Sequence, residues 1–396
     1  MTTGREKRSG RRQLLQGALI AGTALLWGFD GPLWPEPAEC QDTKPSTGGK
    51  MVGVLEFTGE APVPMGQAFG AELDGRMYTN LSKLNAESPV TQIEQFYIRT
   101  RASNLLDSHK RWLVHVGGNV AKPFDLTIED LKRMAGPMGL HLMECAGNVR
   151  SVHFGMISAA SWKGARLSDV FERVRAKREA NRVLISGFDS YTTKSASSVP
   201  GASWVFTAEE LKKAGAFLAT EMNGSPLTRD HGSPVRLVVP GWYGCTCIKW
   251  VDEITFTDDS ATATSQMQEY AARTMQNGVP QLAREYKPAT IEQAAMPIRI
   301  EKWAADEKIS YRVVGIVWGG SVPVKKLQIR FNPEEEYVDV SDFQQTGNDP
   351  WSFWTHAWAP KQPGSYMIRL RVADPSVAAR RLDAGYYIRT VEISEI

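Results

Sequence analysis

From about residue 90 to 260, short apolar runs alternate with stretches whose apolar residues recur every three or four positions. Residues 112–116 and 183–186 predict strands. Residues 128–134, 167–175 and 208–214 predict amphipathic helices, each entered from a Thr, an Arg or a similar start. Residues 235–239 form a largely β-branched run between Pro234 and Pro240, which predicts a buried strand with defined ends. Residues 261–296 are polar and irregular, as expected of a long connection that crosses a surface or lips a pocket. From about Pro297 the pattern changes. Residues 311–318, 326–331, 366–372 and 386–393 read as short strands between Gly, Pro and Asn turns, and predict a β-sandwich. Residues 35–70 are rich in Pro, Gly and Thr without clear period and read as an extended lead-in. The pattern gives an α+β region followed by a β-rich one, with no internal repeat.

A chain of 396 residues has room for two or three domains. Its 42% apolar and 23% charged residues are ordinary for a soluble globular protein. The formal net charge of +2 gives no reason to expect nucleic acid or an anionic membrane as partner. Twelve Trp suggest heavily packed cores, or a wall around a bound group. The four cysteines, Cys40, Cys145, Cys245 and Cys247, are too few for a disulfide scaffold, and no zinc-finger spacing accompanies them.

The first residues carry a separate message. A basic segment ends in Arg11-Arg12, followed by an apolar run from about Ala18 to Trp27. This is the layout of a twin-arginine export signal, and the apolar run is too short to span a bilayer. A periplasmic location is expected.

Two segments can carry chemistry. In His141-Leu-Met-Glu-Cys-Ala-Gly-Asn-Val-Arg150, a single cysteine precedes small residues that let backbone come close to a bulky group. A thiolate is a soft ligand for transition metals, although such a cysteine read alone is more often a buried structural residue. The second segment is Arg229-Asp-His-Gly-Ser-Pro-Val-Arg236, continued by Leu-Val-Val-Pro-Gly-Trp-Tyr-Gly-Cys-Thr-Cys-Ile-Lys249-Trp250. Arg236, Lys249, His231 and the Gly241–Gly244 turn could cradle an anion such as a phosphate-bearing cofactor. Two solvated cations and a core histidine remain the plainer account of that segment alone.

Together, the two segments resemble the sulfite oxidase family, which includes the assimilatory nitrate reductases. ECAGNVR is similar to the family's CAGNRR motif, and the RDHGSPVR…VPGWYGCTCIKW stretch is similar to its cofactor motif. The resemblance covers about residues 90–396. It implies a sulfite-oxidase-type molybdopterin-binding domain followed by an immunoglobulin-like β-sandwich used for dimerisation. The implied boundaries are 1–40 for signal and lead-in, 41–89 for an extended segment, 90–270 for the catalytic domain, 271–296 for a connector and 297–396 for the sandwich.

The resemblance also implies a molybdenum cofactor, Mo-molybdopterin, with Cys145 as the protein's metal ligand. Asp189, His231, Arg236, Cys247, Ile248 and Lys249 match its pterin contacts, and Arg99, Arg150 and Tyr270 match its substrate side. Arg389 matches a pocket arginine more loosely. Some positions depart from the family pattern: Val149 replaces the first arginine of CAGNRR, Arg101 stands where a histidine is common, Thr246 replaces a turn arginine, and Tyr270 lies three residues closer to the preceding segment. The cysteine segment does not resemble that of the sulfoxide-reductase branch.

The implied activity is oxygen-atom transfer, sulfite to sulfate, with Arg99 and Arg150 holding the anion. No cytochrome b5 segment, C-x-x-C-H or flavin region is found in the sequence, so electrons are expected to pass to a separate c-type cytochrome. The same cofactor acting on nitrate, a sulfoxide or an organosulfur compound is the nearest alternative. A non-catalytic exported binding protein that kept the fold is the alternative from another class.

Overall fold

The computed structural model describes residues 49–108, 111–345, 347, 350–380, 382 and 387–396. The twin-arginine segment, Cys40 and Tyr386 lie outside the described residues.

The helices follow from local capping. Thr127 and Thr207 each accept from the backbone N–H three residues on, while Asp130 and Glu210 accept from the cap N–H groups. These reciprocal pairs begin the helices Ile128–Met134 and Ala208–Lys213 where the sequence pattern places them. The helix Leu167–Glu172 ends sooner than its apolar period suggests.

Two five-stranded sheets build the region around these helices. One has Val251–Thr257 at its centre, parallel to Leu113–Gly118 and antiparallel to Arg182–Gly187. The other is antiparallel and runs Arg236–Val238, Phe217–Met222, Ile157–Arg166, Gly136–Glu144, with Ser225–Pro226 paired to Phe217–Met222. The apolar pattern does not reveal Gly136–Glu144 or Ile157–Arg166. Gly136–Glu144 has no β-branched residue, and Ile157–Arg166 has one among Ala, Ser and Gly. Gly164 explains part of this choice: a Cβ there would stand 2.3 Å from the Leu218 carbonyl oxygen on the neighbouring strand.

The last hundred residues form two antiparallel sheets. Ala294–Ala305, Lys308–Trp318 and Ser352–Trp358 form the body of one. Leu327–Arg330, Gly364–Val372 and Arg389–Ile393 form the body of the other. Phe331 stacks on Trp358 at 4.2 Å between ring centres, and Trp358 meets Tyr366 edge-on at 5.0 Å.

The lead-in is not featureless. Lys50–Leu55 is a strand paired with Ala294–Ala305, and Thr58 bridges Thr390. The strand is mostly exposed, which leaves no alternation in the sequence to reveal it. Beyond it, Thr79 and Thr91 donate backbone hydrogen bonds to Gly155 and Ala159, which lays this segment across the first region.

Between the two regions lies a buried polar node. The Glu144 carboxylate accepts from Trp318 Nε1 at 2.9 Å, from Arg380 Nη1 at 3.0 Å and Nη2 at 2.8 Å, and from Asn148. Among the described residues no helix is long and apolar enough to cross a membrane.

Candidate active site

Beside this node opens a cavity of about 110 Å³. Cys145 lines it, immediately after the strand Gly136–Glu144. The turn is fixed by backbone bonds: Cys145 N–H donates to Met156, and Asn148 N–H donates to Cys145, both at 2.9 Å. The sulfur accepts from Gly147 N–H at 3.3 Å. Burial pushes the thiol's pKa up, opposed by the Arg99 charge and the Gly147 N–H. Among the described residues no group of three or more His, Cys, Asp or Glu is placed to hold a metal ion.

One wall suits an anion. Arg99 lines the cavity, held by Nη1 donating to Ser198 Oγ at 2.6 Å and Nη2 to the Ser197 carbonyl at 3.1 Å. Arg76 donates to the Arg99 carbonyl and to the same two serines. Tyr270 reaches the cavity from the end of the helix Ser265–Tyr270, which the Thr264 hydroxyl caps. Burial raises the pKa of its phenol, so it stays protonated.

The opposite wall holds polar groups that the protein itself leaves unsatisfied. Arg236 is buried, donating Nη2 to Met143 Sδ and to the Cys247 carbonyl at 3.1 Å, and Nη1 to the His231 carbonyl at 3.2 Å. Its Nε has no partner, and no carboxylate lies within ion-pair reach among the described residues. Lys249, partly buried, donates to the carbonyls of Thr100 and Asp230 and lies 4.4 Å over the Trp250 ring. Burial, and next the Arg236 charge, lower its pKa to about 7. Asp189 accepts through one oxygen from the Gly201 and Ala202 N–H groups, while its buried Oδ1 has no partner. Burial raises its pKa. Cys247 and Ile248 line the cavity on this side. Gly232, at φ +104°, lets the chain pass close to Arg236 and Lys249: a Cβ would stand 3.0 and 3.2 Å from theirs. Two cations without counter-ions, an unsatisfied carboxylate oxygen and a soft thiol donor fit a phosphate-bearing, nitrogen-rich metal cofactor.

The structure corrects three expectations. His231 is at the wall, but both ring nitrogens are engaged within the protein, Nδ1 with the Thr228 hydroxyl at 2.8 Å and Nε2 with the Phe96 carbonyl at 3.1 Å. Burial lowers its pKa to about 4, so it is a neutral, satisfied residue rather than a free anion donor. Arg150 is not part of this cavity. The turn after Asn148 carries it toward Glu60, 4.0 Å away, where Arg389 also binds at 2.6 Å. Both arginines thus serve a buried carboxylate that comes from the lead-in, and neither lines the cavity that Cys145 lines.

Other positions are structural or were missed. Arg101 pairs with Asp230 at 2.9 Å. Cys245 and Cys247 sit at a 3₁₀ turn, Gly244–Thr246, rather than on a strand, and both are free, buried thiols. The sequence reading did not single out Arg273 or Arg76. Arg273 lies one helical turn after Tyr270, a spacing that could have drawn attention to it; Arg76 sits in the unpatterned lead-in and gives no such signal.

The chain is similar to several known proteins. Residues 102–265 match the family described as oxidoreductase molybdopterin binding domain. The mitochondrial sulfite oxidase of Mus musculus is 34% identical over 179 residues, covering 42% of this chain and 32% of that protein. The sulfite oxidase of Arabidopsis thaliana is 25% identical over 295 residues, covering 66% of this chain and 75% of that protein. The chain thus spans only about a third of the length of the mammalian relatives it matches. Among solved structures, the sulfane dehydrogenase SoxCD from Paracoccus pantotrophus shares the fold. The TM-score is 0.61 at 19% identity, over 91% of this chain and 96% of that one.

Proposed function

Starting from the fact that this chain belongs to the sulfite oxidase family of molybdopterin oxidoreductases, we propose that it oxidises sulfite to sulfate and passes two electrons to a separate acceptor. The observation that carries the reading is the pairing of one soft donor, Cys145, with cations lacking counter-ions in a single cavity. Bound molybdenum-pterin supplies the oxygen-atom and two-electron chemistry. The protein's own residues do the rest. Arg236, Lys249, Asp189 and the backbone around Cys247 and Ile248 hold the pterin and its phosphate. Cys145 holds the metal.

Arg99 turns its guanidinium toward the incoming anion, and its charge raises the encounter rate as well as the affinity. Tyr270, kept protonated by burial, can donate to a substrate oxygen but cannot act as a base near neutral pH. Per turnover, sulfite and one water give sulfate, two protons and two electrons.

We read the twin-arginine layout as export to the periplasm, where a c-type cytochrome would take the electrons. We read the carboxy-terminal pair of sheets as the immunoglobulin-like domain through which a homodimer would form. A second reading, in which the substrate is a less charged sulfur compound, is favoured by one observation: Arg150, matched by motif to the anion pocket, does not line the cavity and lies 4.0 Å from Glu60.

The test is metal analysis with sulfite-dependent ferricyanide reduction, on protein from a host that makes the cofactor. Molybdenum near one per chain with sulfite turnover supports the proposal. Molybdenum without turnover removes sulfite and leaves the second reading.

A further inference from the structure

Arg150 leaves a vacancy in the charge scheme, because a dianion beside Cys145 would meet Arg99 alone from the set the motifs supply. The structure brings a different cation to that point. If Gly147 carried a Cβ, that atom would stand 3.1 Å from Arg273 Nη1 and 3.7 Å from Cys145 Sγ. The guanidinium and the sulfur are thus neighbours of the same small patch of backbone. Arg273 also lies with its guanidinium carbon 5.5 Å from the centre of the Tyr270 ring, which lines the cavity. Its charge is felt at the thiol, where it favours the thiolate. Among the described residues no carboxylate lies within ion-pair reach of it, and the side chain is exposed rather than locked in the core. Arg76 and Arg101 are both spent on partners, the first on three backbone carbonyls and the second on Asp230.

We infer that Arg273 is the second anion-binding residue of this site, taking the place that the motif gives to Arg150. It stands at the rim, where the helix that carries Tyr270 unwinds into the turn Ala272–Thr274. Arg99 lines the cavity itself, while Arg273 stands just outside its lining, against Gly147 and the Tyr270 ring, within reach of an oxyanion held beside Cys145. Gly147 is part of the device. A Cβ there would crowd Arg273 Nη1 and come into ordinary contact with the sulfur. Arg273 is therefore a specificity residue: it favours small, multiply charged oxyanions over neutral sulfur compounds. The inference rests on the reading of this cavity as an oxyanion site, and it stands or falls separately from sulfite turnover.

The test is equilibrium binding of inorganic sulfate to the molybdenum-loaded protein by titration calorimetry, at fixed low ionic strength, with sulfite kinetics alongside. Sulfate is expected to bind the unaltered protein. Arg273→Met is expected to weaken binding about tenfold, the loss of one charge-assisted contact, and to raise KM for sulfite with kcat little changed. Arg273→Lys is expected to restore most of the affinity, while Arg150→Met changes it less than twofold. Unchanged sulfate affinity in Arg273→Met overturns the inference, as does an equal loss in Arg150→Met or no sulfate binding by the unaltered protein. Arg273-dependent sulfate binding without sulfite turnover would uphold the anion site while refuting sulfite as substrate.

Discussion

Replacing Lys249 with methionine should flatten the pH dependence of stability in the cofactor-free protein. Lys249 is held by two backbone carbonyls and by no carboxylate within ion-pair reach among the described residues, with Arg236 nearby. Burial and that neighbouring charge lower its pKa from 10.5 to about 7. Between those values the unfolded chain keeps the proton and the folded chain has lost it. Stability therefore rises with pH across the window and is lost as the pH falls toward 7. At ~1.4 kcal/mol per pH unit the full shift would correspond to about 5 kcal/mol. The ammonium faces a cavity that water can enter, so about half of that, ~2 kcal/mol, is the expected difference between pH 7 and pH 10.

Methionine cannot donate to Thr100 and Asp230, which costs about 1–3 kcal/mol at every pH. Absolute stability is therefore the wrong readout and the slope is the right one. Urea unfolding of protein from a host unable to make the cofactor, at several pH values from 6.5 to 10, should show a rising midpoint for the unaltered chain and a nearly level one for Lys249→Met. Parallel curves would refute the claim that this cation is held without a counter-ion. Cofactor loading should suppress the slope, because a bound phosphate restores the charged form.

Cys145→Ser should fold with a near-normal unfolding midpoint yet lose sulfite-dependent ferricyanide reduction, checked with metal analysis on the same sample; full activity would remove Cys145 as the ligand. Arg380→Met leaves Glu144 charged and buried without its cation, and should cost about 3–5 kcal/mol by urea unfolding, while adding Glu144→Gln should recover much of that loss. Gly315→Ala would place a Cβ 2.0 Å from Cζ2 of Trp354 and 2.5 Å from the Met296 carbonyl oxygen, so a loss of at least ~1–3 kcal/mol is expected in the same assay. Asp189→Asn should retain the fold and reduce the molybdenum bound per chain, because Asp189 lines the cavity and its buried Oδ1 has no partner within the protein.

Much of this was legible from residues alone, for identifiable reasons. Capping chemistry is local, so Thr127 with Asp130 and Thr207 with Glu210 announce their helices within four residues. The strand Lys308–Trp318 carries five β-branched residues, four of them between Val313 and Val317, and reads directly. Gly136–Glu144 and Ile157–Arg166 could not be read this way. Neither carries the run of β-branched residues that marks a strand, and in the second Gly164 answers to close approach by a neighbouring strand. In the site, Cys145, Arg99, Asp189, Arg236, Lys249 and Tyr270 come together in one cavity. Arg150 and Arg389 were beyond motif reasoning because their destination depends on Glu60, a residue of the unpatterned lead-in whose carboxylate claims both. His231 shows the same limit on a smaller scale: its type suggests a donor, but only its contacts with Thr228 and Phe96 show that it has none to spare.

The lead-in strand has a consequence for how this chain is made. Lys50–Leu55 pairs with residues between Ile300 and Ala304, and Thr58 meets Thr390. A segment that leaves the ribosome early must therefore wait, unpaired, until nearly the whole chain has been synthesised. The same segment continues to Asp74 and Arg76, which fasten the serines that hold Arg99. Translation thus imposes an order on assembly. The contacts that hold Arg99 need nothing beyond Ser198, whereas the strand before them finds its partners only when residues 300–304 and Thr390 have followed.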